Sequence, residues 1–338
     1  MNNFTQKLTN LYTLTQMELA EHIIEVIADT GLYEPTKVTK GGLICLPKAP
    51  VPLILISHLD TVSQVQPTKE DITISNNIIS LKPTAPTTVL CLGGDDRNGV
   101  HLMLEVINQG ITPTLLFPFD EEIGCVGTSN MIELLSEDLE LFSRLQDNKL
   151  MVQIDRGVHG WKHEWEQEVV YYDESNKDFI ELMNCWFIED TGSFTDVVEW
   201  TKFLGVAGCN IGAGYRNEHT RLEQTNITVL KEQLRKLLQV IEIASENDTP
   251  FYEHVERPPF SYRNYGNYSN YDIYDDMDIY DDMDSYHHEI SDWLLEMAYD
   301  RIWEQERLLR VPFEHLDSDV NELGYYEIFV KEYYGRML

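Results

Sequence analysis

The sequence predicts an α/β protein with a mostly parallel central sheet, helices on both faces of that sheet, and a helical C-terminal extension. Short apolar runs, typical of strands buried inside a parallel sheet, recur along the chain before residue 212. Longer segments with apolar residues at helical spacing alternate with these runs. Each apolar run is followed by acids or histidines, in two cases after intervening glycines. The alternation predicts the fold, and the polar ends predict where a ligand would bind.

Size and charge set the class of protein. The 338 residues suffice for one large domain and an appendage, and 43% hydrophobic residues suffice for a buried core. Lys and Arg total 25 against 58 Asp and Glu, a net charge of −33, which disfavours nucleic-acid and anionic-membrane partners and favours cations. No signal-like N-terminus or long apolar span is visible, and the five cysteines lack paired spacing. We therefore expect a cytoplasmic protein with reduced thiols.

The first segments are predicted from their periodicity. Residues 2–32 carry apolar side chains at helical spacing, and Gly31 is placed to end that helical region. Residues 42–46 and 72–74 are short β-rich pieces. Together they predict a helical start followed by short strands.

Five apolar runs are predicted to be strands that deliver candidate site residues to one edge of the sheet. Ligands bind beyond the carboxyl ends of strands in open α/β sheets. The runs are 52–57, 88–92, 114–119, 149–154 and 206–211. The side chains that follow them are, in order, His58 with Asp60, Asp95 with Asp96, Glu121 with Glu122, Asp155, and His219.

Four amphipathic segments are predicted to be the helices that cover the sheet. They are residues 98–110, 129–147, 196–203 and 230–246, and residues 157–190 are β-rich and aromatic. The last helix closes the domain that carries these candidate site residues, and we place that domain at residues 1–255. Beyond it the composition changes.

The C-terminal part is predicted to be a linker and a tail. Residues 256–288 are dominated by Tyr, Asn and Asp, with a near-repeat over 272–283, and are interpreted as a flexible acidic linker. The alternative is a weak cation site or a partner-docking strip, although the glycine and glutamate of a calcium loop are missing. Residues 289–338 are predicted to be helical and to serve docking or homo-oligomerisation.

The residues at the sheet edge suit divalent metal ions. Imidazole and carboxylate are ligands for zinc-like ions. His58 and Asp60, two apart at a strand end, point to the same side, so Asp60 can accept the spare ring N–H of His58. The carboxylate of Asp95, held in a loop after two glycines, can bridge two ions. Adjacent Glu121 and Glu122 can supply one base and one ligand. The alternative for this last pair is a solvated acidic loop after a strand.

These motifs resemble those of the co-catalytic zinc peptidases. That family includes peptidase T, the acetylornithine and succinyl-diaminopimelate deacylases, and the lidless bacterial aminopeptidases. The resemblance covers about residues 5–245, and five motifs occur in the family's order. They are His58-Leu59-Asp60-Thr61-Val62, Gly94-Asp95-Asp96-Arg97-Asn98-Gly99, Glu121-Glu122-Ile123-Gly124, Asp155, and Gly214-Tyr215-Arg216-Asn217-Glu218-His219-Thr220.

The resemblance implies a role for each of these residues. Two divalent ions are implied, with zinc favoured and manganese or cobalt as alternatives. The roles are Asp95 as the bridging ligand, Glu122 and His219 completing one ion, His58 and Asp155 completing the other, Glu121 as general base, and Asp60 as the orienter of His58. A cis peptide bond between Asp95 and Asp96 is also implied.

One departure from peptidase T limits what can be carried over. That branch inserts a lid domain between its fourth and fifth ligands. In this sequence Asp155 and His219 are only 64 residues apart. The lid is therefore expected to be missing or reduced to the β-rich piece near 157–190. Arg216 could hold a substrate carboxylate or pair with an acid, and Asp196 could contact a substrate amine or start a helix.

The predicted function is metal-dependent hydrolysis of amide bonds in small peptides by an aminopeptidase. The first alternative is an N-acyl amino-acid deacylase. The second, from another class, is a catalytically idle peptidase-fold scaffold or binding protein. No nucleic-acid or membrane partner is expected.

Overall fold

The computed structural model describes residues 3–158, 165, 167–172, 177–190 and 195–246. The predicted linker at 256–288 and the predicted tail at 289–338 lie outside these residues, so both stay predictions. All five cysteines fall within the described part, and each is a free thiol.

Eight helices and twelve strands are present in the described residues. The helices are α1 (Asn3–Leu11), α2 (Gln16–Thr30), α3 (Gly94–Asn108), α4 (Val126–Glu137), α5 (Leu139–Gln146), α6 (Lys177–Asn184), α7 (Asp196–Leu204) and α8 (Ile227–Glu246). The strands are β1 (Lys37–Val38), β2 (Gly42–Cys45), β3 (Leu53–Ile56), β4 (Ile72–Ser75), β5 (Ile78–Leu81), β6 (Thr114–Pro118), β7 (Leu150–Arg156), β8 (Glu168–Tyr172), β9 (Ile188–Glu189), β10 (Ala207–Gly212), β11 (Tyr215–Arg216) and β12 (Gln224–Asn226).

The central sheet has the order β1-β2-β6-β3-β7-β10-β8-β9. Its middle strands β6, β3, β7 and β10 are all parallel, whereas β2 and β8 pair antiparallel with them. Strands β3, β6 and β10 are buried along their whole length, as expected for strands covered on both faces. The predicted fold class, a mostly parallel sheet in an α/β protein, is confirmed. A smaller antiparallel sheet, β11-β12-β5-β4, lies beside it.

Two groups of helices cover the central sheet. Helix α3 packs on β7 and contacts α1 and α8, while α7 packs on β7 and β10 and contacts α4 and α5. The apolar residues of α1, α2, α3 and α8 and of the strands that face them form one continuous core, and the buried apolar residues of α4, α5 and α7 lie outside that cluster. Within the described residues, no helix combines the length and the apolar character that crossing a membrane would need.

The N-terminal helical region consists of two helices rather than one. The Thr15 side chain accepts the backbone N–H of Glu18, and the Glu18 carboxylate accepts that of Thr15, so this capping box starts a new helix. Gly31 ends that helix in the left-handed conformation, with φ of 66°, as predicted.

The strand predicted at 88–92 is wrong, because this segment has no strand partner in the described part of the chain. Its backbone is instead held by side chains. The Leu90 N–H donates to the Ser63 hydroxyl, and the Val89 carbonyl accepts from Arg221. Val89, Cys91 and Leu92 are buried from an irregular loop, whereas Leu90 is exposed. The sequence pattern cannot distinguish such a loop from a short strand.

Two further predictions need correction. The helix predicted at 129–147 is split at Asp138, whose carboxylate caps α5 by accepting the Leu141 N–H. The segment at 157–190 contains α6 as well as β8 and β9. Both strands extend the central sheet, so the described residues here form no separate lid. The predicted helices at 196–203 and 230–246 are confirmed as α7 and α8.

Candidate metal centre

The carboxyl ends of the parallel strands bring the five predicted metal ligands together. His58 follows β3, Glu122 follows β6, and Asp155 is the penultimate residue of β7. Asp95 is in the first turn of α3, where Asp95 and Asp96 have non-helical backbone angles. The Asp95–Asp96 peptide bond is cis, as the resemblance implies. His219 has a positive φ of 60° in the loop between β11 and β12. Residues far apart in sequence thus converge on one edge of the sheet.

One group of ligand atoms comprises His58, Asp95 and Asp155. The His58 Nε2 atom lies 3.0 Å from Asp95 Oδ1 and 3.5 Å from Asp155 Oδ1. One ligand atom from each residue lies within 4.8 Å of the others. The His58 side chain is 1% exposed, so this group lies at the inner end of the site.

A second group comprises Asp95, Glu122 and His219. The His219 Nε2 atom lies 3.0 Å from Asp95 Oδ2 and 2.9 Å from Glu122 Oε2. Asp95 thus belongs to both groups, with Oδ1 towards His58 and Oδ2 towards His219. The His219 side chain is 31% exposed, which makes this group the more accessible one.

Asp60 connects the inner histidine to the glutamate pair. Its Oδ1 lies 3.1 Å from His58 Nδ1, and its two oxygens accept the backbone N–H groups of Glu121 and Glu122, each at 3.0 Å. Burial opposes ionisation of Asp60, but the hydrogen bonds to His58 and to these N–H groups hold its pKa below the usual value. One carboxylate therefore fixes the ring orientation of His58 and the start of the glutamate loop.

Glu121 belongs to neither ligand group. Its Oε1 atom lies 3.6 Å from the Cys125 thiol, which donates to it. Burial, together with nearby acids that include Asp155, raises the pKa of the Glu121 carboxyl well above its usual value. The side chain is thus a carboxylate beside both ligand groups with no imidazole bound to it among the described residues.

The electrostatics of the site fit a bound cation. Burial raises the pKa of Glu122 and of Asp155, and the Asp95 charge adds to both shifts. Burial also acts against the Asp95 charge, but hydrogen bonds from His219 and His58 bring its pKa below the usual value. The carboxylates around the site outnumber the two imidazoles, so the local charge is negative. Divalent cations would offset this charge, and the oxygen and imidazole donors suit zinc-like ions.

The side chains that hold Asp155 were not singled out from the sequence. Asp155 Oδ2 accepts from the Gln153 amide at 2.8 Å and from the Thr195 hydroxyl at 3.2 Å, and Oδ1 accepts from the Tyr215 hydroxyl at 3.1 Å. Only Gln153 had a local signal, because alternation along β7 places it on the same face as Asp155. The other two come from distant segments and become neighbours only in the fold.

Asp96 is buried beside the site, and its carboxylate faces inward. Its Oδ2 accepts from the Ser57 hydroxyl at 2.5 Å, and its Oδ1 accepts the Gly99 N–H at 3.0 Å. Burial and the nearby Asp155 charge raise its pKa well above the usual value. Asp96 therefore anchors the start of α3 to the end of β3.

The two predicted substrate contacts, Arg216 and Asp196, belong to neither ligand group. The Arg216 guanidinium stacks on the Trp165 ring at 4.4 Å and donates to Gln224 Oε1 from Nε at 3.1 Å and Nη2 at 2.8 Å. Within the described residues it forms no ion pair with an acid. Asp196 begins α7 and is fully buried. Neither of its oxygens has a hydrogen-bond partner of ordinary geometry in the described part, and burial raises its pKa to about 7.

The fold is shared with two solved peptidase structures. A tripeptidase from Staphylococcus aureus subsp. aureus Mu50 aligns over 72% of this chain and 98% of its own, with 14% identity and a TM-score of 0.51. An aminopeptidase PepT from Bacillus cereus ATCC 10987 aligns over 71% of this chain and 98% of its own, with 14% identity and a TM-score of 0.50. No protein-family model matches the sequence, and no curated protein does. The chain therefore shares its fold with peptidases at low sequence identity.

Proposed function

We propose that this protein is a di-metal aminopeptidase that hydrolyses amide bonds in small peptides. One observation carries the proposal: the two carboxylate oxygens of Asp95 face His58 and His219 separately, at 3.0 Å each. A carboxylate placed in this way completes two ligand groups at once. The fold that the chain shares with two solved peptidases supports this proposal.

The ligands are assigned to two ions. His58, Asp95 and Asp155 would hold one ion, and Asp95, Glu122 and His219 the other. Zinc is favoured by the mixture of imidazole and carboxylate, with manganese and cobalt as alternatives. When bound, a pair of such ions lowers the pKa of a water molecule and polarises a carbonyl oxygen, as amide hydrolysis requires.

The residues of the chain would then orient the centre and move the proton. Asp60 holds the His58 ring through Nδ1, leaving Nε2 free to face the ligand carboxylates. Glu121, outside both groups, takes the proton from the attacking water and delivers it to the leaving amine. Burial raises the pKa of the Glu121 carboxyl, which makes its carboxylate a stronger base than an exposed one.

Two residues remain candidates for substrate contact. Arg216 is held by uncharged partners, Gln224 and Trp165, so its charge would be available to a substrate carboxylate. Asp196 would contact a substrate amine only if the residues that cover it moved, because its side chain is fully buried.

The test is a hydrolysis assay with metal analysis on the full-length protein. We expect about two equivalents of bound zinc, manganese or cobalt, and metal-dependent cleavage of free-amine tripeptides that a chelator abolishes. Asp95→Asn should lose both metal and activity, whereas Asp29→Asn, the same change on the exposed surface of α2, should lose neither. Preference for the N-acetylated peptide would indicate a deacylase. Less than about one equivalent of metal would indicate an idle scaffold.

A further inference from the structure

Glu223 is a buried carboxylate that holds the loop carrying Asp95. The residue is 0% exposed. Its Oε2 accepts the Gly93 backbone N–H at 2.8 Å, and its Oε1 accepts the Asp95 backbone N–H at 3.0 Å. Each carboxylate oxygen thus accepts one hydrogen bond, and the two donors lie on either side of Gly94. No sequence motif pointed to this residue.

A buried carboxylate of this kind needs an explanation beyond packing. In the described part of the chain, no Lys, Arg or His side chain forms an ion pair with Glu223. A buried charge without an ion pair costs free energy, so a neutral side chain would be the better choice for stability alone.

The position of Glu223 in the chain connects two ligand segments. It lies four residues after His219, and the residues around it are fixed to the body of the protein. The Arg221 guanidinium donates to the carbonyl oxygens of Ala85, Pro86 and Val89. The Thr225 hydroxyl accepts hydrogen bonds from the Tyr12 hydroxyl and the Asn98 side-chain amide. Glu223 therefore links the loop of Asp95 to a segment that is anchored on both sides.

Gly94, between the two N–H groups, packs tightly against the Glu223 segment. A Cβ atom on Gly94 would lie 2.9 Å from Glu223 Oε1, 2.9 Å from Thr225 Oγ1 and 3.2 Å from Tyr215 Cβ. Glycine at this position allows the backbone to lie directly against the Glu223 carboxylate. This contact ties the Asp95 loop directly to the segment that follows His219.

We propose that Glu223 is a positioning residue for the metal centre: it holds the Asp95 backbone at the place from which one carboxylate reaches both ligand groups. This role rests on the proposed function, because it presupposes that Asp95 binds two ions. Since Asp95 belongs to both groups, loss of the Glu223 contact weakens both ion sites together. Loss of an ordinary ligand such as His219 weakens one site first.

The test measures zinc affinity of the full-length protein by competition with a chromophoric chelator. Glu223→Gln presents an amide N–H₂ to one of the two backbone N–H groups, so one hydrogen bond is replaced by a repulsive contact. We expect both zinc affinities to fall about 10–100-fold, as is usual when a group that orients a metal ligand is changed. His219→Ala serves as the comparison that weakens chiefly one site.

The control is Tyr33→Phe, in a different part of the chain. It removes the buried hydrogen bond from the Tyr33 hydroxyl to the Pro113 carbonyl oxygen, just before β6, and leaves both N–H groups of the Asp95 loop untouched. We expect this variant to lower the Tm of the metal-free protein while zinc affinity stays within about twofold of wild type. Far-UV circular dichroism of each metal-free variant checks the fold.

The outcomes separate the two proposals. Wild-type protein that binds fewer than two zinc ions overturns the proposed metal centre, and the role of Glu223 with it. Wild-type protein that binds two ions, with affinities unchanged in Glu223→Gln or with one site weakened alone, overturns only the role of Glu223. If Glu223→Gln does not fold, Gly94→Ala decides: its Cβ displaces the Glu223 carboxylate, and unchanged zinc affinity there overturns the role as well.

Discussion

The substitution Glu121→Gln separates proton transfer from metal binding. Glutamine has the shape of glutamate and keeps an oxygen that can accept from the Cys125 thiol. The Glu121 backbone N–H still donates to Asp60, because that bond does not involve the side chain. Glu121 is also absent from both ligand groups. The change therefore removes the basic carboxylate and leaves the rest of the centre in place.

The size of the effect follows from the chemistry that is lost. A positioned general base contributes about 10²–10⁴-fold to a rate. At about 1.4 kcal/mol for each factor of ten, this loss raises the activation free energy by about 3–5 kcal/mol. We expect the decrease in kcat, with KM nearly unchanged, because Glu121 acts on the water and the leaving amine and not on the resting peptide.

The assay combines tripeptide hydrolysis with metal analysis of the same protein sample. We expect Glu121→Gln to retain two equivalents of metal while kcat falls by this factor. Glu137→Gln, the same change on the exposed surface of α4, should match wild type, and Glu122→Gln should lose metal. A rate for Glu121→Gln within threefold of wild type would remove Glu121 from the mechanism. Loss of metal in that variant would make it a ligand.

Two further predictions concern stability. The pKa of Asp196 is raised from 3.8 to about 7, so the folded state loses stability as pH rises through that range, by about 4 kcal/mol above pH 7. In metal-free protein, Asp196→Asn should therefore raise the free energy of unfolding at pH 8 and hardly change it at pH 4. Urea titrations of the variant and of wild type at both pH values measure this effect. A gain in the free energy of unfolding that is equal at pH 4 and pH 8 would refute the prediction. Gly127→Ala should destabilise the protein by about 1–3 kcal/mol, because its Cβ would lie 1.9 Å from the Phe119 carbonyl oxygen. Ser129→Ala, on the exposed face of the same helix, should leave the Tm within a few degrees, and equal Tm values for the two variants would contradict the packing argument.

Local pattern was sufficient for strands that are covered on both faces. The runs at 52–57, 114–119 and 206–211 are mostly apolar because both faces of those strands are covered, and all three contain strands. The run at 88–92 is equally apolar but forms a loop, since its backbone groups pair with Ser63 and Arg221. Apolar composition reports burial, and burial alone does not fix the backbone conformation.

The helix boundaries show the same limit. Asp138 in the middle of an amphipathic stretch divides 129–147 into two helices, because its side chain caps the second one. The apolar spacing continued across the break, so periodicity alone did not show it. Thr15 and Glu18, by contrast, carry a capping box that is visible in the sequence.

The sequence by itself determined which residue types stand at the ends of the buried strands, because alternation, burial and turn chemistry are local properties. Only the tertiary structure decided that the two oxygens of Asp95 face different histidines, that Thr195 and Tyr215 hold Asp155, and that the Glu223 carboxylate fixes the Asp95 loop. Each of these contacts joins segments distant in the chain. Their distances depend on how the strands and helices pack, and no local pattern encodes that packing.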